Sequence, residues 1–238
     1  TPWDAPMVPP FPFKFRDCRI MTLYWRTDPD AIDFLLPPPL KRTGDIACAH
    51  TYQMNDPDWN GPYGAMNVMV GAELPGKAAG GYSPYLALSS DGGLVHGREV
   101  HGQPKKHGHP QIEARGDLLV GTVERNGIDV LTGTVAYKQR AVDPSAIKPH
   151  FDFAININLK AIDHIDGRPA IRQLTSRALT DVTIHEAWAG PCTVELRPNA
   201  QLPLFRLPVL EPLEGFFWRA DFSLVQGTIL HDYLEATS

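Results

Sequence analysis

The segment LLVGTVERNGIDVLTGTVAYK, residues 118–138, constrains the fold of this chain more than any other. Two runs rich in β-branched residues flank Asn126-Gly127, and this dipeptide favours the two-residue type I′ turn of a β-hairpin. Strand-like patterns also occur in RIMTLYW (19–25), TDVTIHEAW (180–188) and FFWRADFSLVQG (216–227). In the last of these, apolar and polar residues alternate, as in a strand with one buried face. The sequence therefore predicts a mainly antiparallel β-protein.

Helices are predicted at only two places. In RTDPDAIDFLLPPPL (26–40), Thr27 or Asp28 can cap a helix whose first turn contains Pro29, and residues 37–39 are prolines that end it. A second short helix is predicted to begin at Asp143-Pro144. The glycine pairs at 80–81 and 92–93 are predicted to form turns. Few helices among many strands indicate a mainly β (α+β) class.

The organisation predicted from composition is a single globular domain spanning residues 1–238. Hydrophobic residues make up 43% of the chain and charged residues 21%, and the 23 prolines and 20 glycines suit many turns between short strands. Residues 1–12 include five prolines and are expected to form an extended arm.

Charge and hydropathy exclude several partners. The net charge is −5, so we expect no nucleic acid to bind, and no apolar run reaches the roughly 20 residues of a membrane helix. The first residues lack the apolar core of a signal peptide. The three cysteines, Cys18, Cys48 and Cys192, are odd in number and far apart. These features predict a reduced, cytoplasmic protein without membrane partners.

The stretch GREVHGQPKKHGHP, residues 97–110, raises three alternatives: a metal site, a tuned nucleophile or a solvated basic loop. His101, His107 and His109 could contribute to a metal site, but neither HExxH nor a Cys/His cluster of known spacing accompanies them. The chain also lacks a G-x-S-x-G motif and a glycine-rich phosphate loop. We therefore expect neither a metal nor another cofactor.

The adjacent Lys105 and Lys106 suit the chemistry of a nucleophilic amine. Lysine attacks a carbonyl carbon only as the free amine, which is scarce at neutral pH because the ordinary lysine pKa is about 10.4. A neighbouring cation or a dry pocket lowers that pKa. A Lys-Lys dipeptide by itself is more often a solvated pair on the surface. In an extended segment, moreover, the side chains of adjacent residues point to opposite faces.

The surroundings of this pair resemble those in the acetoacetate decarboxylase family. GREVHGQPKKHGHP is similar to the family's G-R-E-x-x-x-x-P-K-K-x-G-x-P stretch, and the hairpin, TDVTIHEAWAGP, LPLFRLPVLE and HDYLE resemble later segments in the same order. The resemblance implies curved antiparallel sheets forming a cone-like barrel with the active site inside, a few peripheral helices, and homo-oligomers. It also implies that Lys105 forms a Schiff base with the substrate and that Lys106 lowers its pKa.

Several positions depart from the family pattern. The arginine of the first strand aligns with Cys18, although Arg19 is next to it, and a glutamate that handles the substrate carboxylate aligns near Ala65. An earlier acidic position falls near His50. The lysine that matches the imine former is kept while these groups differ. Some relatives in the wider superfamily resemble the decarboxylase but condense pyruvate with an aldehyde, so the resemblance implies a pyruvate aldolase-dehydratase.

Two other functions stay open, a β-keto acid decarboxylase and a catalytically silent small-molecule binder on the same barrel. In each enzyme the small-molecule substrate is a keto acid, joined by an aldehyde in the aldolase. The predicted substrate-binding residues share matched or neighbouring positions in the family pattern: Gln103, Tyr63, Tyr233, Arg19 and His50.

Overall fold

The computed structural model describes residues 3–8, 10–147 and 155–235. Its strands are β1 (Phe13–Arg26), β2 (Lys41–Met54), β3 (Asp56–Pro57), β4 (Tyr63–Leu74), β5 (Ala78–Leu88), β6 (Lys105–His107), β7 (His109–Arg115), β8 (Leu118–Arg125), β9 (Ile128–Ala136), β10 (Arg140–Ala141), β11 (Asn156–Asp163), β12 (Pro169–Arg177), β13 (Leu179–Gly190), β14 (Cys192–Leu196), β15 (Glu211–Leu224) and β16 (Thr228–Asp232). Its helices are α1 (Pro29–Leu35), α2 (Asp91–His96) and α3 (Pro144–Ile147), with a π-helical turn at Gly97–His101 and a 3-10 turn at Leu204–Arg206. The predicted mainly β class is therefore confirmed.

The local predictions for the hairpin and the helices are confirmed. Asn126 and Gly127 have φ values of 56° and 80°, as a type I′ turn requires, and the flanking strands β8 and β9 pair antiparallel. Asp28 caps α1, because its side chain accepts a hydrogen bond from the backbone of Asp30 at 2.9 Å. Helix α3 begins at Pro144, as predicted.

The predicted turns at residues 80–81 and 92–93 are both wrong, and the first pair lies within β5. Gly92 and Gly93 lie in α2, whose first residue follows the cap Ser90, and the Ser90 hydroxyl accepts a hydrogen bond from the Gly93 amide at 3.1 Å. A Cβ at Gly92 would lie only 2.7 Å from the Trp59 ring. Close approach of this helix to its neighbours, rather than a turn, therefore explains the glycine there.

The strands form two sheets. The larger contains twelve strands in the order β10-β13-β15-β1-β2-β4-β5-β11-β12-β16, with β3 paired to β1 and β6 paired to β5. The smaller has the order β14-β9-β8-β7. Alternate residues of β1 belong to two different cores: Met21 and Leu23 pack in a core that includes the smaller sheet, whereas Cys18 and Ile20 pack with β15.

The larger sheet curls on itself. Strands β12 and β13 are separated along the chain only by Ala178, yet they stand far apart in the pairing order. In a flat sheet, strands at such distant positions could not be joined by a single residue. The curl gives the sheet a concave face, and β4, β12 and β15 contribute side chains to it. No pairing among the described strands closes the path, so the cone-like barrel stays a prediction.

A β-bulge determines which residues of β1 face this concave side. The register with β15 shifts between Phe15 and Cys18, and Asp17 has a φ of 49°. The extra residue moves the alternation by one position, so Cys18 lies on the same side as Phe15 and Arg19 lies on the other. No helix within the described ranges is long and apolar enough to cross a membrane.

Candidate active site

Lys105 lies at the start of β6, which runs parallel to the end of β5. Lys105 pairs with Leu86 in this register, and Leu86 in turn pairs with Asn67 of β4. Side chains in one such row point to the same face of a sheet. Lys106 is the next residue along the strand and therefore points to the opposite face.

The Lys105 side chain is enclosed by α2 and the π-helical turn that continues it. Only 7% of Lys105 is exposed, and its Nζ donates a hydrogen bond to the carbonyl of Gly93 at 2.8 Å. The chain passes so close at Gly97 that a Cβ there would lie 2.5 Å from Nζ. The helical segment thus holds the amine and leaves room for it only because residue 97 is glycine.

Other residues of the same motif hold the backbone of Lys105. Arg98 donates from Nη1 to the carbonyl of Lys105 at 3.1 Å. Gly102 has a φ of 75°, which ends the π-helical turn and lets the amide of Gln103 bond to the carbonyl of Gly97 at 2.9 Å. The motif therefore acts as one unit that positions the lysine.

Burial, together with the smaller effect of the positive charge of Arg177, lowers the pKa of Lys105 to about 7. A substantial fraction of this lysine is therefore free amine at neutral pH. Lys106 is not among the causes of that shift. Its Nζ lies near the surface, where it donates to the backbone carbonyl of Gln201. In this structure the cation that acts on Lys105 is Arg177, and the effect of Lys106 on its pKa stays a prediction.

Lys105 lines a cavity on the concave side of the larger sheet. The apolar residues that line this cavity are Phe15, Met54, Ala65, Met66, Leu86, Leu179, Phe222 and Leu224. Its polar lining residues are Tyr52, Tyr63, Asn67, Gln103, Lys105 and Arg177. The structure thus brings together three of the predicted site residues, Lys105, Gln103 and Tyr63.

Arg177 is the residue that sequence reasoning missed. It is the last residue of β12, and its Nε is buried without a hydrogen-bond partner among the described residues. Burial lowers its pKa, and the phenol groups of Tyr52 and Tyr63 oppose that shift, but no carboxylate contributes. The sequence around Arg177, in a strand of both polar and apolar residues, does not mark it as a site residue. Only the curl of the sheet brings it to the cavity that Lys105 lines.

Asn67 was also missed. Its Oδ1 is buried and has no hydrogen-bond partner in the described part of the chain. Burial raises the pKa of the Tyr63 hydroxyl, so this phenol remains a hydrogen-bond donor at neutral pH. Gln103 is 3% exposed and donates to Oδ1 of Asn156 at 3.4 Å. The cavity therefore offers neutral polar groups around the amine.

The structure places Arg19, His50 and Tyr233 outside the lining of this cavity, so it does not support their predicted contact with substrate, which stays a prediction. Arg19 bonds to Gln53 at 3.2 Å and lies over the Phe217 ring on the other face of β1, because the bulge turned it there. Tyr233 is 36% exposed, and its hydroxyl bonds to the carbonyl of Pro38.

His50 lies one strand away from Asn67 in the same row of side chains. Its Nδ1 is 2.9 Å from the hydroxyl of Thr22, and burial lowers its pKa to about 4. His50 is therefore uncharged at neutral pH and is not part of the cavity lining. Cys18, at the position of the family arginine, is fully buried with its Sγ 3.4 Å from Sδ of Met54.

The three histidines of the motif do not form one cluster. His101 is buried, with its Nε2 3.0 Å from the carbonyl of Val225, whereas His107 and His109 are exposed and stack edge-to-face 4.8 Å apart. Across residues 3–8, 10–147 and 155–235, no group of three or more His, Cys, Asp or Glu side chains could hold a metal ion.

The depressed pKa predicts a specific pH profile for the Lys105 amine. A lysine reacts as the amine, so acylation of Lys105 by a neutral aryl ester should rise with pH around 7 rather than near the ordinary lysine pKa. Arg177→Met removes a positive charge, which favours the ammonium form and should move the midpoint to higher pH. Lys106→Gln should move it less, and Arg168→Met, which removes an exposed charge, should leave it in place. A larger shift in Lys106→Gln than in Arg177→Met would contradict this assignment.

The curled β-sheet holds a buried, readily deprotonated lysine in a cavity, an arrangement typical of enzymes that use an amine as a nucleophile. The sequence profile described as acetoacetate decarboxylase (ADC) matches residues 1–234. The chain belongs to the acetoacetate decarboxylase family.

Individual relatives agree with this assignment. The chain is 36% identical over 233 residues to an acetoacetate decarboxylase of Chromobacterium violaceum, covering 98% of this chain and 94% of the relative. A solved acetoacetate decarboxylase structure superimposes with a TM-score of 0.93 at 32% identity, covering 99% of this chain and 96% of the other. The enduracididine biosynthesis enzyme MppR complexed with pyruvate has a TM-score of 0.81 at 20% identity, covering 97% and 94%, which shows a shared fold.

Proposed function

We propose that this chain is a Schiff-base lyase that decarboxylates β-keto acids. The observation that carries the proposal is the buried Lys105 amine, which lies in a cavity and whose pKa of about 7 leaves it nucleophilic. The full-length similarity to acetoacetate decarboxylases supports the same reaction.

The proposed reaction uses the amine as an electron sink. Nζ of Lys105 adds to the substrate ketone, and loss of water leaves a protonated imine. The bond between the α-carbon and the carboxylate then breaks and CO₂ leaves. The electron pair of that bond forms the C=C bond of an enamine, while the π electrons of the C=N bond move onto the nitrogen. A proton adds to the α-carbon of the resulting enamine, and water hydrolyses the imine to release the ketone and the free lysine. Apolar residues such as Leu86 and Phe222 favour the step in which the carboxylate loses its charge, because they do not solvate the anion.

The sequence-based preference for a pyruvate aldolase-dehydratase is less well supported than this alternative. Relatives that are 36% and 33% identical are acetoacetate decarboxylases, whereas MppR, solved with pyruvate, is 20% identical. One observation still favours aldol chemistry as a second candidate. No Asp or Glu of the described residues lines the cavity, while Gln103, Tyr63 and Asn67 could orient pyruvate and an aldehyde.

Two assays distinguish the candidate functions. Acetoacetate should release CO₂ above the uncatalysed rate, and borohydride should trap an adduct on the peptide that contains Lys105. Pyruvate with a simple aromatic aldehyde should give little unsaturated condensation product. The opposite result in both assays would favour the aldolase-dehydratase. A protein that binds ketones but forms no adduct and releases no CO₂ would be the silent binder. The predicted homo-oligomer stays a prediction, which light scattering can test.

A further inference from the structure

Arg177 presents to the cavity a positive charge that no carboxylate among the described residues neutralises. Other arginines of the chain, such as Arg26 and Arg140, form ion pairs with carboxylates at the surface. Arg177 has no such partner: its Nε is buried and unbonded within the described ranges, and only phenols, those of Tyr52 and Tyr63, act favourably on its charge. Burying a cation without an anion costs free energy. An anionic group of a bound molecule would offset that cost.

The carboxylate that leaves as CO₂ is a poor candidate for this anion. That group loses its charge in the transition state, so an arginine bound to it would stabilise the substrate more than the transition state and would slow the reaction. A carboxylate that stays on the product keeps its charge throughout. Contact with Arg177 would then bind the substrate and the transition state alike and would anchor the ketone beside Lys105.

We propose that the substrate carries a second carboxylate, which Arg177 binds and the product retains. The substrate class is therefore a β-keto acid with two carboxylates, one β to the ketone and lost, the other retained. This inference rests on the proposed imine at Lys105. Bond cleavage follows the scheme above: one C–C bond breaks, one CO₂ leaves and one proton is taken up, giving a keto monocarboxylate.

The residues around Arg177 suit an anion. Burial raises the pKa of the Tyr52 and Tyr63 hydroxyls, which therefore stay protonated and can donate hydrogen bonds. Arg177 itself remains charged at neutral pH, and its planar guanidinium matches a carboxylate in a bidentate arrangement. All three residues line the same cavity as Lys105.

The first test compares CO₂ release from 3-oxopentanedioate and from acetoacetate, after subtraction of the uncatalysed rates. For the first CO₂, we expect kcat/KM to be about 30-fold or more higher for the dicarboxylate, as a buried charge pair would provide. Arg177→Met should remove this preference, and Arg177→Lys should keep part of it. Arg168→Met, which removes an arginine that is exposed and paired with Asp166, should leave the preference intact.

A second measurement needs no variant and no decarboxylation. Borohydride trapping on Lys105 should half-saturate at a concentration at least about tenfold lower for 4-oxopentanoate than for the neutral 2-pentanone. Equal half-saturation, or an unchanged dicarboxylate preference in a folded Arg177→Met protein, would overturn the inference and leave Arg177 only as the cation that lowers the pKa of Lys105. If neither ketone is trapped, the proposed Schiff-base function itself fails, so the two failures are distinguishable.

Discussion

Lys105→Met should abolish the borohydride-trapped adduct with acetoacetate and lower the rate of CO₂ release by roughly 10³-fold or more. Methionine keeps the length and apolar stem of the side chain but has no amine, so no imine can form. The change should not unfold the protein, because Lys105 is buried and its charged form is already disfavoured there. Mass spectrometry of the trapped peptide and a CO₂ assay measure the two effects.

Lys106→Met is the matched control for this experiment. The Lys106 side chain faces Gln201 on the other side of β6. The Lys106→Met protein should therefore still form the adduct on Lys105, and its rate of CO₂ release should change by less than about tenfold. An adduct that survives in Lys105→Met and disappears in Lys106→Met would reverse the assignment of the two lysines. Far-UV circular dichroism and thermal unfolding verify that both variants are folded.

Gly97→Ala should reduce the rate of imine formation by about 10²-fold without unfolding the protein. The new methyl carbon would lie 2.5 Å from Nζ of Lys105, so the amine must leave its position and its hydrogen bond to the carbonyl of Gly93. The lysine is a flexible chain end, and alanine favours a helical backbone over glycine by about 0.5–1 kcal/mol. The lost activity would therefore come from a displaced amine rather than from a weaker fold.

Gly44→Ala provides the comparison, because a Cβ at Gly44 has no atom within 4 Å. We expect this variant to trap acetoacetate at the rate of the unchanged protein, as measured by quenched borohydride reduction over time. A folded Gly97→Ala protein with the same trapping rate as Gly44→Ala would show that Nζ tolerates displacement, and the role assigned to the helical turn would be wrong.

Features that depend on a few neighbouring residues were predictable from the sequence. The Asn126-Gly127 turn requires positive φ at two successive positions, and the cap at Asp28 requires only an oxygen two residues before an amide. The motif around Lys105 is also local, since Arg98, Gly102 and Gln103 all act within eight residues of the lysine. Because the motif is local, the resemblance correctly predicted that Lys105 and Gln103 lie in the same cavity.

The environment of the amine, in contrast, comes from residues distant in sequence. Arg177 reaches the cavity only because the larger sheet curls until β12 approaches β15, and no pattern within β12 encodes that curl. The bulge in β1 shifts the alternation by one residue, so Cys18 rather than Arg19 lies on the concave side. Adjacent residues of β6 face opposite ways, which directs Lys106 to Gln201.

The sequence alone therefore determined the strands, the hairpin, the first helix and the motif that contains Lys105, because backbone preference and a short motif act over a few residues. Only the tertiary structure decided which cation lowers the pKa of that lysine, which polar groups surround it and which of the predicted residues lie outside the cavity lining. Burial and charge act through space, and the distances between Lys105, Arg177 and the tyrosines exist only once the curled sheet has formed.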